Sequence, residues 1–96
     1  MDDNGIIQLY WDRNHHAIRI TSEKYGSYCK SIAKNILNNE EDAEECVNDT
    51  YFHAWNAMPT HWPEQLSTFL GKITRNLSFN RYKSNRTGKR GGGEIT

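Results

Sequence analysis

The basic and aromatic side chains between residues 72 and 86 are the group whose types and spacing best fit a chemical task. They fall on one side of a predicted helix: Lys72, Arg75, Phe79, Tyr82, Lys83 and Arg86. Cations neutralise phosphates and aromatic rings stack on bases, so this pattern favours a surface that binds a nucleic-acid strand. A merely solvated helix face needs the cations but not the rings. The alternative is that Phe79 and Tyr82 belong to the core, if the helix curves or the first helix covers it.

A second group of side chains, between residues 39 and 58, is acidic and includes one large aromatic. Asn39 is a good N-cap, with Asp42 at the third position after it, and apolar residues recur at helical spacing from there. The face opposite the apolar stripe carries Glu45, Asn48, Asp49, Phe52 and Asn56. A solvated face needs no Phe and a core face needs no carboxylates. The pattern therefore favours a docking surface for a protein, with a stray exposed Phe52 as the alternative.

No arrangement typical of an enzyme active site or a metal centre is visible. The carboxylates from Glu40 to Glu45 lie near His53, but on a helix surface without a nucleophile–base pair. The four histidines lack zinc spacing. Cys29 and Cys46 fall at apolar helical positions, where reduced core thiols are expected rather than a disulfide or a metal site. We expect no enzymatic activity, no metal and no cofactor.

The charge of the chain is unevenly distributed, although the net charge is zero. Residues 1–64 carry five basic and eleven acidic side chains, whereas residues 65–96 carry seven basic and one acidic. The division suggests a separate partner for each part, the basic part meeting a polyanion. The alternatives are that the two parts attract each other or that the tail is simply solvated. No apolar run could span a membrane and no secretory signal is visible, so we expect a cytoplasmic protein.

The apolar periodicity predicts an all-α domain without repeats. We expect a short helix over residues 4–12, with Ile6, Ile7, Tyr10 and Trp11 inward. A second helix is expected from about residue 15 to 37, capped by Asn14. Its inward positions are Ala17, Ile20, Thr21, Tyr25, Tyr28, Cys29, Ile32, Ala33, Ile36 and Leu37. A very short connection leads to the acidic helix, so these two helices should lie antiparallel or cross steeply.

Pro59 ends the acidic helix and opens a loop that carries His61 and Trp62. Trp62 is either held out to stack on a base or fill a pocket, or folded back over the core. The last helix is predicted from residue 63 or 64 to about residue 84, and Gly71 would allow close approach of a neighbouring helix or strand. Its core stripe is Leu66, Phe69, Leu70, Ile73 and Leu77. Residues 87–96 are predicted to be a flexible, basic, Gly-rich linker.

Two segments closely resemble region 2 of the sigma-70 family of bacterial RNA polymerase initiation factors, namely EEDAEECVNDTYFHAW and FLGKITRNLSFNRYKSNR. The nearest group is the extracytoplasmic-function type, whose two helices typically read like DAEDVVQEVFLRAW and WLYRIARNLALDRLR. The resemblance covers residues 5–86. It implies a compact bundle of three main helices plus a short N-terminal helix, over residues 1–86. It also implies a domain that binds core polymerase and recognises and melts the −10 promoter element.

The resemblance implies a role for each surface. The acidic helix would dock on the clamp helices of the largest polymerase subunit through Glu45, Asn48, Asp49 and Phe52, with Asn48 standing where the family usually has Gln. The non-template strand of the −10 element, with one flipped base, would be held by Ala57, His61, Trp62, Lys72, Ile73 and Asn76. Nearer the DNA backbone or the upstream duplex would lie Arg75, Asn80 and Lys83.

Two departures from the family pattern leave questions open. The loop reads His61-Trp62-Pro63 where the group often has an aromatic followed by a Gly-Asp-like turn, so the base preference is open. The 96 residues contain no domain that would recognise the −35 element. An anti-sigma factor is a further partner that the resemblance implies. The alternative function is a protein-interaction module that binds polymerase or an inhibitory partner without recognising DNA.

Overall fold

Four α-helices form the part of the chain that the computed structural model describes, namely residues 1–58 and 60–91, with side chains described up to residue 86. They are α1 (Asp3–Trp11), α2 (His16–Leu37), α3 (Glu40–Ala57) and α4 (Leu66–Gly91). No strand occurs in these ranges. The prediction of an all-α bundle with three main helices and a short N-terminal helix is confirmed.

Local hydrogen bonds explain where the first three helices begin and end. The Asp2 carboxylate accepts from the Gly5 N–H at 2.8 Å, and the Asn39 side chain accepts from the Asp42 N–H at 2.9 Å, which confirms the predicted cap of α3. The Asn14 side chain accepts from the His16 N–H at 2.9 Å, although His15 occupies the capping position. Asn38 adopts a left-handed conformation (φ 53°) that ends α2.

The bounds of α4 differ from the prediction at both ends. The helix begins at Leu66 rather than at residue 63 or 64, and residues 63–65 belong to the loop. It continues past Ser84 to Gly91, because no Pro or Gly interrupts residues 84–87 and adding a residue to an existing helix is easy. Residues 87–91 of the predicted linker thus continue α4, and residues 92–96 lie outside the described residues.

The core lies between α2, α3 and α4 and is closed at one end by α1. Ile6, Ile7 and Tyr10 of α1 are buried as predicted. The Tyr10 hydroxyl lies 2.7 Å from the Thr21 hydroxyl, and burial raises the pKa of Tyr10 to about 12. Two predicted inward positions are wrong: Trp11 is exposed, and Tyr28 is 44 % exposed because α2 turns it to the edge of the bundle.

The inner side of α4 is formed largely by small side chains. Leu66 and Leu70 are buried as predicted, whereas Phe69, Ile73 and Leu77 are half-buried at its edges. The fully buried positions farther along are Thr74 and Ser78, which an apolar pattern cannot reveal. The Thr74 hydroxyl lies 2.8 Å from that of Thr50 on α3. This pair lets α3 and α4 meet closely at this level with both threonine hydroxyls hydrogen-bonded.

Gly71 makes the close approach that the sequence predicted. A Cβ at this position would lie 2.8 Å from the Tyr28 hydroxyl oxygen, so α2 and α4 meet here without room for a methyl group. The two thiols also agree with the prediction, because Cys29 and Cys46 are buried and free, and burial raises the pKa of both. Among the described residues, no helix has the length and apolar character that a membrane span requires.

We expect Gly71→Ala to stabilise the protein only when the Tyr28 hydroxyl is absent. Alanine favours the helix by about 1 kcal/mol over glycine, but here its methyl group must displace that hydroxyl. In a Tyr28→Phe background the nearest remaining atoms would be 3.5 Å away, so the gain of about 0.5–1 kcal/mol should be realised. Urea denaturation of the four proteins measures this. An equal effect of Gly71→Ala in both backgrounds would contradict it.

Candidate functional site

The outer side of α3 exposes all four residues assigned to protein docking. Glu45, Asn48, Asp49 and Phe52 are exposed, whereas Cys46, Thr50 and Ala54 on the opposite side are buried. Phe52 is 63 % exposed, so a large apolar ring stands in water among carboxylates and an amide. The outer side of α3 is therefore an acidic helix face with one exposed aromatic ring, as the sequence suggested.

One end of this acidic face is engaged by α4. The Arg81 guanidinium forms ion pairs with Glu45 and, at 3.0 Å, with Asp42, and the Asn85 amide donates to the second oxygen of Asp42 at 2.8 Å. The attraction between the acidic and basic parts of the chain, left open as an alternative, therefore occurs at this point. The sequence did not indicate Arg81, because the pairing depends on how α4 packs against α3.

The Asp42 carboxylate is stabilised in its charged form by these contacts. The hydrogen bond from Asn85 lowers the pKa of Asp42, desolvation opposes it, and Arg81 lowers it further, so the pKa lies below its ordinary value of 3.8. The same contacts raise the pKa of Arg81. The N-terminal turn of α3 is consequently tied to α4 by charged hydrogen bonds.

The other acidic residues of α3 differ in how far they are already paired. Glu40 and Glu44 form ion pairs with Lys30 of α2, and Glu40 also pairs with Lys34 at 3.1 Å. Asp49 has no hydrogen bond or ion pair to any residue that the structure describes. Asn48, Asp49 and Phe52 thus remain available to a partner on the outer face.

The outer side of α4 carries most of the residues assigned to DNA. Phe79 is 45 % and Tyr82 42 % exposed, so neither belongs to the core. The Arg86 guanidinium carbon lies 5.6 Å from the Tyr82 ring centroid. Ile73 is half-buried, as is Ala57 in the last turn of α3. The polar residues of α4 that were assigned to DNA are all exposed: Lys72, Arg75, Asn76, Asn80 and Lys83.

A pocket of about 250 Å³ opens between the loop and the start of α4. The rings of His61 and Phe69, both lining residues, lie 5.2 Å apart between centroids, and the lining also includes Pro63, Glu64 and Lys72. Gln65 and Thr68 also line it, and the Thr68 hydroxyl donates to Gln65 Oε1 at 3.0 Å. The residues assigned to the base pocket that do not line it are Ala57, Trp62, Ile73 and Asn76.

Trp62 meets both descriptions that the sequence left open. Its ring packs against that of Trp11 in α1, with 5.7 Å between centroids, yet Trp62 is 43 % exposed. The Trp11 indole also donates to the His61 carbonyl at 3.0 Å. Phe69, Gln65 and Trp11 were not identified as site residues from the sequence. Only the position of Gln65 near the predicted start of the last helix could have pointed to it.

The helical fold and the two exposed surfaces are typical of a domain that binds other macromolecules. Residues 22–87 match the family model described as Sigma-70 region 2. The chain belongs to the sigma-70 region 2 family, and this region of a sigma factor takes part in RNA polymerase binding and promoter recognition. Sigma factor domains are not enzymes. Comparison with curated proteins found no match, and comparison with solved structures found none either.

We expect Asp42→Asn to reduce the loss of stability in acid. Because the folded-state pKa of Asp42 is below 3.8, its charge stabilises the fold above that pH, and this contribution disappears as the pH falls through the folded-state pKa. The free energy of unfolding should therefore fall less steeply below about pH 4 in the variant than in the wild type. Urea denaturation across a pH series measures the two slopes.

The matched control is Glu41→Gln, since Glu41 is an exposed neighbour without a side-chain hydrogen bond or ion pair to the described residues. It removes the same charge from the same turn of α3. If Asp42→Asn and Glu41→Gln changed the acid slope equally, the contacts from Asn85 and Arg81 would not be the cause.

Proposed function

We propose that this domain binds core RNA polymerase through the outer side of α3 and recognises and melts the −10 promoter element through the loop and α4. We assign it to the extracytoplasmic-function group of sigma factors. The observation that carries the proposal is the separation of two surfaces: an acidic face with exposed Phe52 on α3, and a pocket beside Lys72 at the start of α4. One surface suits a protein, and the other suits a polyanionic strand.

The polymerase contact would centre on Phe52 and Asp49, on the clamp helices of the largest subunit. An exposed phenyl ring gains burial in an apolar pocket, and aromatic anchors of this kind commonly dominate binding energy. Asp49 has no partner among the described residues, so it can pair with a basic side chain without breaking an existing contact. Asn48 lies beside them and would add a hydrogen bond, whereas Glu45 would have to share its charge with Arg81.

The promoter contact would place one unstacked base in the loop–α4 pocket. The His61 and Phe69 rings offer surfaces for stacking, which offsets part of the unstacking cost. Since Thr68 occupies Gln65 Oε1, the Gln65 amide group is left to donate to a base edge. Lys72, which lines the pocket, would neutralise the adjoining phosphate of the non-template strand.

The rest of the strand would follow the exposed side of α4. In this proposal Ile73, Asn76 and Trp62 contact nucleotides next to the flipped base, with Ala57 at the edge of the path. Farther along α4, the contacts to the DNA backbone or the upstream duplex come from Arg75, Asn80 and Lys83. An anti-sigma factor would inhibit the domain by covering one of the two surfaces.

We expect Asp49→Lys combined with Phe52→Ala to abolish capture of core polymerase in a pull-down. The pair removes an aromatic anchor and reverses an available charge, so affinity should fall by roughly a hundredfold or more. The control is Glu23→Lys, which makes the same charge reversal at an exposed position of α2. Retained binding by the double variant would move the polymerase contact to another surface.

We expect Lys72→Ala to weaken binding of single-stranded DNA to the domain–polymerase complex in a salt-dependent way. Each phosphate contact on a single strand contributes about 0.7 to the slope of log affinity against log salt, so the slope should fall by about that amount. Fluorescence anisotropy with a labelled pool of random sequence measures it. Lys34→Ala is the control, because Lys34 carries the same charge on α2, away from the pocket.

The same titration distinguishes the proposed function from that of a protein-interaction module. If Lys72→Ala and Asn76→Ala changed neither DNA affinity nor the salt slope, while capture of polymerase persisted, the domain would be a protein-interaction module that does not recognise DNA.

A further inference from the structure

The N-terminal segment contacts the loop from outside the part of the chain that matches the family model. Residues 1–21 precede the match, which covers residues 22–87. The last residue of α1, Trp11, nevertheless donates its indole N–H to the His61 carbonyl at 3.0 Å and packs its ring on Trp62. These two contacts connect α1 to the two aromatic residues of the loop.

The loop depends on this support because its own hydrogen bonds are few. Among the described residues, its turn bonds run from the Thr60 N–H and hydroxyl to Ala57 O and from the His61 N–H to Met58 O, each at 3.2 Å. α1, in contrast, is anchored in the core by Ile6, Ile7 and Tyr10. A hydrogen bond from α1 to His61 therefore ties the loop to a helix that is itself anchored in the core.

The position of the His61 ring follows from contacts on two sides. Its backbone carbonyl is held by Trp11, and its ring lies against Phe69 with 5.2 Å between centroids, forming one side of the pocket. Removing the bond from Trp11 frees the backbone that carries the ring. His61 then keeps only its turn bond to the Met58 carbonyl and the contact of its ring with Phe69.

Arg13 supports the adjoining end of α3 in the same way. The helical donor for the Trp55 carbonyl would be the N–H of residue 59, which is a proline and has none. Arg13 supplies the missing donor at 2.7 Å, and its guanidinium carbon lies 3.8 Å from the Trp55 ring centroid. The last residue of α1 and the turn after it thus contact the chain on both sides of residue 59.

We propose that Trp11 is a positioning residue for promoter recognition: with Arg13, it braces the loop so that His61 holds the shape on which base selectivity depends. Trp11 does not itself contact the base. The inference rests on the proposed function, since it assigns a determinant of selectivity to the pocket described there.

The test compares Trp11→Phe with wild type, both as the full chain bound to core polymerase. The probe is single-stranded DNA randomised over six positions, and the bound fraction is sequenced. At the most selective position, we expect the preference for the best base over the second best to fall roughly two- to tenfold, the equivalent of one net hydrogen bond. Capture of polymerase should be unchanged, because Trp11 is remote from the outer side of α3.

The matched control is Tyr25→Phe. Tyr25 donates to the Asp3 carboxylate at 2.8–2.9 Å, so this variant also removes hydrogen bonding between α1 and the bundle, but at the opposite end of α1. A purely structural role of Trp11 would lower stability as Tyr25→Phe does and leave base preference intact. Unchanged preference in Trp11→Phe would therefore overturn the inference.

Two further measurements apply if Trp11→Phe does not fold or if the wild type shows no base preference. If Trp11→Phe does not fold, benzothienylalanine at position 11 replaces the N–H by sulfur at nearly constant shape, and the same loss of preference is expected. If wild type itself shows no base preference, the proposed function fails. The brace is then judged by NMR, where rapid solvent exchange of the Trp11 indole proton in the wild type would overturn it and protection would support it.

Discussion

The close contact between α4 and its neighbours depends on small side chains. Gly71, Thr74 and Ser78 lie on the buried side of α4, where larger residues would hold the helices apart. The contact between the Thr50 and Thr74 hydroxyls satisfies these two buried polar groups. Because the buried strip is narrow, the aromatic residues farther round α4, such as Phe79, are not required by the core and remain at the surface. Packing thus leaves one side of the helix available for binding.

The two proposed binding surfaces lie on neighbouring helices, and the side chain of Arg81 connects them. Arg81 belongs to α4 but pairs with Asp42 and Glu45 of α3, so part of the acidic face is neutralised within the domain. Asp49 has no such partner among the described residues. The outer side of α3 looks uniformly acidic in the sequence. In the structure, the Glu45 carboxylate is paired with Arg81, whereas the Asp49 carboxylate is available. This difference changes which residues are expected to dominate a protein contact.

Much of the fold could be predicted because it depends on local patterns. The cap at Asn39, the end of α2 at Leu37 and the exposed side of α3 all follow from residues within one or two turns of each other. The errors arose where burial does not follow hydrophobicity. Thr74 and Ser78 are buried although polar, and Tyr28 is exposed at the edge although aromatic, because neighbouring helices decide how much space each position has.

The sequence by itself determined the helical class, the order of the helices, the polarity of their outer sides and the resemblance that the family model confirms. Only the tertiary structure decided which side chains meet across long separations. Trp11 reaches a carbonyl 50 residues away, Arg13 one 42 residues away, and Arg81 an acid 39 residues away. Periodicity and capping act within a few residues, so they place a side chain on a face. Which atom it then meets depends on how whole helices pack, and that information is not local.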